Sequence, residues 1–346
     1  MTGPSDQELG EARWFPTDLD VPSRTFSFVA LDDAVIDRSS FLDTRIDAPL
    51  AAAVQVGQAQ IQRDQRGQRD LPSARVAWLF HTSFCGSTLA ARALHCPPAA
   101  VCLREPLVLR RLADARHRAM PLQGLLETTV GLLARPWHAG GAVVIKPTHA
   151  ALNLASDMLA ATPGSRAVVL TSSLQDFLVS NLKKPPESQS RIPQLAERAL
   201  AIGTFASRLP PQALAPPDLL CAAALQWAAQ REVMADLVAV DDGARVRAID
   251  MSWLLDDLAD AMTQCARWLQ VEIPEHALRD RCEGIGGRNA KAMDVAYSAA
   301  QRASEAEIVV AHFARELANA LAWSERWLLP AMRPQARLDP ARWSQA

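Results

Sequence analysis

Residues 75–88 read Arg75-Val76-Ala77-Trp78-Leu79-Phe80-His81-Thr82-Ser83-Phe84-Cys85-Gly86-Ser87-Thr88. The first six form a short apolar run without alternation, the pattern of a strand covered on both faces. A loop of small hydroxylated residues follows, and then an apolar helical stretch, Thr88–Leu94. Where a strand feeds a helix through such a loop, backbone N–H groups and the positive end of the helix dipole favour an anion. Gly86 lets the backbone approach closely, and Ser87 and Thr88 offer hydroxyls. The plainer alternative is a serine-rich helix cap with no ligand.

Similar apolar runs recur at Ala99–Leu103, Ala142–Ile145, Arg166–Leu170 and Arg245–Ile249, with helical patterns of ten or more residues between them. Strands alternating with helices predict right-handed crossovers and a mostly parallel sheet covered on both faces. Residues 1–72 read as an N-terminal extension packing on this core. It has one strand-like run at Thr25–Leu31, a small amphipathic helix around Ala48–Ile61 and a charged exposed connection at Gln62–Asp70. Residues 73–346 form the α/β domain. Within it, Lys183–Pro217 carries three Pro-Pro pairs and reads as a lid or insertion. Past Ser252 the chain reads as helical, at Trp253–Gln270, Glu275–Cys282 and Glu305–Trp327.

Composition narrows the function classes. A chain of 346 residues with 49% hydrophobic content, nine Trp and nine Phe can bury a core and is not a disordered polymer. A net charge of −2 supplies no basic field for nucleic acid. No apolar run approaches the ~20 residues of a membrane helix, and the first residues lack a signal-peptide pattern. The six cysteines form no Cys-x-x-Cys, so neither a zinc site nor a disulfide framework is expected, and the compartment reads as cytoplasmic. Cys85, at the helix start, reads either as a thiol with lowered pKa or as a small buried residue. Only four of the 36 basic residues are lysine: Lys146, Lys183, Lys184 and Lys291. All four fall in or beside the motifs that follow.

The run Val143-Val144-Ile145-Lys146-Pro147-Thr148-His149 ends a strand, where open α/β sheets place ligands. An imidazole there can take a proton at neutral pH. The segment Thr171-Ser172-Ser173-Leu174-Gln175-Asp176 leads on to Ser180, with Lys183 and Lys184 three and four residues further along the same helical face. Ser173 and Asp176 also make a capping box. A Cys102-Leu103-Arg104-Glu105-Pro106 turn closes the second core strand. Late in the chain, Gly284-Ile285-Gly286-Gly287-Arg288-Asn289-Ala290-Lys291 is glycine-rich and basic.

Taken in order, these segments resemble the sulfotransferases that use 3′-phosphoadenylyl sulfate (PAPS), over roughly residues 73–300. Cys85-Gly86-Ser87-Thr88 is similar to that family's Ser-Gly-Thr-Thr loop, with Phe84 where the family has Lys or Arg. Lys146-Pro147-Thr148-His149 resembles its Lys-Thr-His. The strand before Ser180 resembles its 3′-phosphate element, with Ser172 in the arginine position. The strand-to-helix stretch Val246–Leu255 resembles its Tyr-Glu-Asp-Leu segment. The glycine-rich stretch resembles the loop whose basic residues clamp the 3′-phosphate. Ser87 stands where nucleoside triphosphatases carry the lysine of their phosphate loop, which disfavours an ordinary ATP or GTP site.

The resemblance implies a P-loop NTPase-like three-layer α/β fold, with a central parallel sheet and a helical C-terminal region. It implies sulfuryl transfer from PAPS to a hydroxyl or amine of a small molecule or peptide, with no metal, no nucleic acid and no membrane partner. Thr82, Ser83, Phe84, Cys85, Gly86, Ser87 and Thr88 would hold the 5′-phosphosulfate. Ser172, Ser180, Lys183, Lys184, Arg288 and Lys291 would lie near the 3′-phosphate, one of Lys183 and Lys184 replacing the missing arginine. His149 or Glu105 would be the base, and Lys146 would stabilise the bridging oxygen. Two other readings stand beside it: a nucleotide-dependent phosphotransferase on the same fold, and a non-catalytic relative that binds a partner.

Overall fold

A computed structural model describes residues 10–67, 75–239 and 243–337. Its core is a five-stranded, all-parallel sheet flanked by helices, the three-layer α/β arrangement that the alternating pattern predicts. Ahead of this sheet come three strands, β1 (Trp14–Asp20), β2 (Thr25–Ala30) and β3 (Val54–Gly57), paired antiparallel in that order. The core strands are β4 (Arg75–His81), β5 (Ala100–Arg104), β6 (Ala142–Lys146), β7 (Arg166–Thr171) and β8 (Val246–Asp250), in the order β5-β6-β4-β7-β8. Every residue of β5 and β6 is buried, as a doubly covered strand requires. Register sets Arg104 of β5 directly opposite Lys146 of β6. The loop that decides the fold leaves the carboxyl end of β4, the central strand.

The residues group into two units. The first comprises Met1–Phe80, Thr88–Ala167 and Ala259–Val295, and the second His81–Ser87, Val168–Leu258 and Ala296–Ala346. The second unit is built around the helix Leu219–Val238. Asp218 caps that helix by accepting the Cys221 N–H at 2.8 Å. It is buried on nearly every side, which suits its run of Ala and Leu. Around it pack Phe177, Leu178, Phe205, Leu317 and Leu328.

Element boundaries depart from the sequence reading in four places. Val54-Gln55-Val56 alternates with period two and pairs with β2, so a strand and then the helix Gln58–Gly67 replace the helix expected over Ala48–Ile61. That helix also takes up the start of the connection expected over Gln62–Asp70, whose residues 68–70 lie outside the described residues. The helix expected over Trp253–Gln270 is interrupted at Asp257, whose extended φ of −147° separates Met251–Asp256 from Leu258–Leu269. The stretch expected from Glu305 to Trp327 is two helices, Ala299–His312 and Ala314–Trp327, parted at Phe313. Between Lys183 and Pro217 the chain makes short helices, each begun at or beside a proline except the 3-10 turn Phe205–Arg208. A last two-stranded hairpin, β9 (Arg288–Asn289) with β10 (Ala292–Ala296), was not foreseen.

Candidate functional site

The loop after β4 begins as an extension of the strand, its Thr82 N–H donating to the Leu170 carbonyl of β7 at 3.0 Å. It then turns through two left-handed residues, Phe84 at φ 58° and Gly86 at φ 75°. Glycine is required at the second on two grounds. The backbone is left-handed there, and a Cβ would stand 2.8 Å from Leu254 Cδ2. The helix Ser87–Ala93 follows at once. Cys85 is fully buried, with its Sγ donating to the Thr82 carbonyl at 3.0 Å, so of the two sequence readings the structure gives the small buried residue. Ser83, Ser87 and Thr88 are buried as well.

Phe84, in the position where the resemblance expects a cation, lies edge-on to Phe177 at 5.6 Å between ring centres. The Nζ of Lys184 lies over the Phe84 ring, 5.1 Å from its centre. Burial, and then the charge of Lys183, hold the Lys184 ammonium below its ordinary pKa. Lys183 itself points elsewhere, pairing with Glu305 and reaching the Tyr297 hydroxyl at 3.4 Å. The structure therefore separates two lysines that the sequence left equivalent.

Two hydroxyls at the carboxyl ends of adjacent strands have no hydrogen-bond partner among the described residues: Thr82 Oγ1 after β4 and Ser172 Oγ after β7. Both residues are completely buried. The Ser172 carbonyl accepts the Trp227 indole N–H at 2.9 Å, which fixes this end of the strand. Ser173 caps the helix Leu174–Leu182 through the Asp176 N–H, as the capping box predicts. Ser180 lies half-buried on that helix.

In the first unit, Glu105 and Lys146 meet at the carboxyl ends of β5 and β6. The Glu105 N–H donates to the Lys146 carbonyl at 2.7 Å, and the Lys146 ammonium is paired with the Glu105 carboxylate. The lysine side chain is wholly buried. Glu105 is left-handed, at φ 55°, a conformation that costs a non-glycine residue on the order of 1 kcal/mol or more. Beside this pair, unforeseen from the sequence, Phe41 lies under Lys146 Nζ at 5.8 Å and under the Arg45 guanidinium at 4.0 Å. No motif surrounds Phe41 and Arg45, so only the fold brings them here. Arg104 does not pair with Glu105. It is buried and donates to the carbonyls of Ile36, Asp37 and Ser39 at the end of the helix Asp33–Arg38.

His149 begins the 3-10 turn His149–Leu154, half-buried. The glycine-rich stretch is only partly a loop. Gly284 and Gly286 belong to the helix Glu275–Gly286, and Arg288 opens the hairpin, donating to the Met293 carbonyl at 2.9 Å. Lys291 lies exposed at the turn between the two strands, its N–H on Asn289 Oδ1 at 2.9 Å. Among the described residues no group of three or more His, Cys, Asp and Glu could hold a metal ion, and no helix is long and apolar enough to cross a membrane. No model of a known protein family and no curated protein matches the chain.

Proposed function

We propose that this chain is a sulfotransferase-like enzyme that binds PAPS and transfers its sulfuryl group to a hydroxyl or amine of a small molecule or peptide. The observation that supports it best is the Lys184 ammonium over the Phe84 ring, a cation beside the residue that stands where the family's loop has Lys or Arg. A lysine suits this role as a compact point charge on a flexible stem that approaches from a helix end. The buried, unpartnered Thr82 and Ser172 hydroxyls fit a loop that has a polar ligand to serve, since such atoms are costly when left unsatisfied.

In this reading Thr82, Ser83, Ser87, Thr88 and the first helical amides face the 5′-phosphosulfate, with Lys184 supplying the positive charge. PAPS, when bound, contributes the activated sulfuryl group. Ser180 is assigned to the 3′-phosphate. His149 takes the acceptor proton, because Glu105 already holds its carboxylate on the buried Lys146.

The test is a thermal-shift titration with adenosine 3′,5′-bisphosphate, with ATP–Mg²⁺ and AMP as controls. Ligand at a hundred times its dissociation constant adds about 2.7 kcal/mol, a rise of roughly 2 °C or more for a chain of this length. A rise with the bisphosphate alone that is lost in Lys184→Ala is the expected result. A rise only with ATP–Mg²⁺ transfers the chain to phosphoryl chemistry, and no rise with any nucleotide removes the enzyme reading.

A further inference from the structure

Away from the residues assigned above, the first unit buries an unusual concentration of positive charge. Arg92 and Arg104 are 2% and 0% exposed, and Arg281 joins them through its Nε on the Arg92 carbonyl at 3.0 Å. One carboxylate answers these three guanidiniums, Asp37, whose Oδ1 accepts Arg281 Nη2 at 2.6 Å. The other guanidinium bonds go to main-chain carbonyls and one hydroxyl. Arg104 uses the carbonyls of residues 36, 37 and 39, while Arg92 uses the Asp37 and Ala290 carbonyls and Ser40 Oγ.

Three polar atoms in this cluster have no partner among the described residues: Arg104 Nη1, His95 Nε2 and Ser39 Oγ. The residues are 0%, 1% and 6% exposed. His95 Nδ1 accepts the Cys102 N–H at 3.1 Å, so in the neutral ring the proton sits on Nε2, and that atom is a donor. Asp37 Oδ1 is 3.8 Å from it, beyond hydrogen-bond reach. The ring is neutral, its pKa pushed down to about 3 by burial and then by Arg104 and Arg281. The cluster thus presents an arginine N–H, an imidazole N–H and a serine O–H with nothing to receive them, beside uncompensated positive charge. A small anion would accept from donors of this kind and offset the positive charge that the one carboxylate, Asp37, leaves over.

We propose that Arg104, His95 and Ser39 form a buried site for a small inorganic anion of halide character. The site bears on the late hairpin. Arg92 holds the Ala290 carbonyl at 2.7 Å, and Ser40, itself bound to Arg92, donates to the Lys291 carbonyl at 2.9 Å. The proposed site thus adjoins, through Ser39 and its neighbour Ser40, the contacts that hold the turn carrying Lys291.

Bromide is the probe. The full chain is melted in sodium bromide and in sodium gluconate at equal ionic strength, beside Ser39→Ala, which deletes a hydroxyl without deleting a hydrogen bond present in the structure. General salt effects act on both proteins alike. The expected result is a bromide-minus-gluconate difference in Tm more positive by ~2 °C in the wild type than in the variant. Crystals soaked in bromide should show an anomalous peak in contact with Arg104 Nη1 and His95 Nε2. An equal difference in both proteins, or water without an anomalous signal at that position, overturns the proposal.

Discussion

Two lysines of this chain sit beside motifs of equal promise in the sequence, and the structure treats them oppositely. Lys146, at the end of β6, is sealed in the first unit and neutralised by Glu105. Lys184, beyond the helix Leu174–Leu182, lies over an aromatic ring in the second unit, with no carboxylate among the charges that act on it. A lysine near a motif is therefore not yet an available charge. What its ammonium touches decides whether it holds the fold together or has charge to offer a ligand, and that is settled by residues far away in sequence.

The comparison breaks most visibly at Glu105. Glu105→Ala leaves a buried ammonium uncompensated, which costs about 3–5 kcal/mol. Denaturant unfolding should show a lower midpoint at unchanged slope. Replacing both partners together, Glu105→Leu with Lys146→Met, should restore most of the loss, because the penalty comes from the orphaned charge. If Glu105→Ala were neutral, Lys146 would be as uncommitted as Lys184, and the contrast would vanish.

The loop after β4 is next. Gly86→Ala places a Cβ 2.8 Å from Leu254 Cδ2 at a left-handed φ, a combined cost of about 2–3 kcal/mol. Leu254→Ala in the same chain should relieve the clash but not the φ strain. The double variant therefore recovers more than additivity of the single changes allows. Additive losses would mean that the helix Met251–Asp256 does not press on the loop.

How much of this was legible beforehand depends on the range of the interactions. The five core strands are local events, apolar runs such as Ala142–Ile145 bounded by polar residues, and the sequence shows them directly. β1 is hidden because Pro16, Asp18 and Asp20 dilute its pattern, and the ladder shifts register between Pro16 and Asp18. The Glu105–Lys146 pair was within reach because both residues end apolar runs, although its closure depends on β5 and β6 being neighbours. Phe41, Arg45 and the Arg92–Arg104–Arg281 cluster were out of reach. Phe41 and Arg45 sit in a stretch with no pattern of its own, and Arg92, Arg104 and Arg281, although they lie on segments the sequence shows, meet only when residues as far apart as Arg92 and Arg281 pack together. Phe84 and Lys184 show the same limit at 100 residues' separation: the departure from the family's loop could be read, its compensation could not.

Lys184→Ala sharpens the comparison from the other side. Loss of an exposed-edge cation–π contact costs roughly 0.5–1 kcal/mol of stability, a small effect beside that of Glu105→Ala. Its effect on ligand is larger: removal of one charge-assisted contact, worth roughly 1.5–3 kcal/mol, weakens the bisphosphate about ten- to a hundredfold. A stable variant with lost nucleotide response is the signature of a charge kept for a ligand. A variant that loses stability but keeps the response would make Lys184 a packing residue like Lys146.

The smallest effect belongs to Lys183, and its pH dependence identifies it. Lys183 is paired with Glu305, whose carboxylate is held below its ordinary pKa of 4.5 by hydrogen bonds from Lys183 and Tyr297. Because the folded value is the lower one, the pair stabilises above pH ~4.5 and loses that contribution as the pH falls through the folded value. Glu305 is exposed, so screening leaves well under ~1 kcal/mol at pH 7. Lys183→Ala should therefore melt marginally below the wild type at pH 7 in low salt, and the two curves should converge as the pH falls through the folded value of Glu305 or in 0.5 M salt. The bisphosphate response of this variant should stay intact. If Lys183→Ala abolishes it while Lys184→Ala does not, the replacement cation is the one on Glu305, and the ring contact at Phe84 is packing alone.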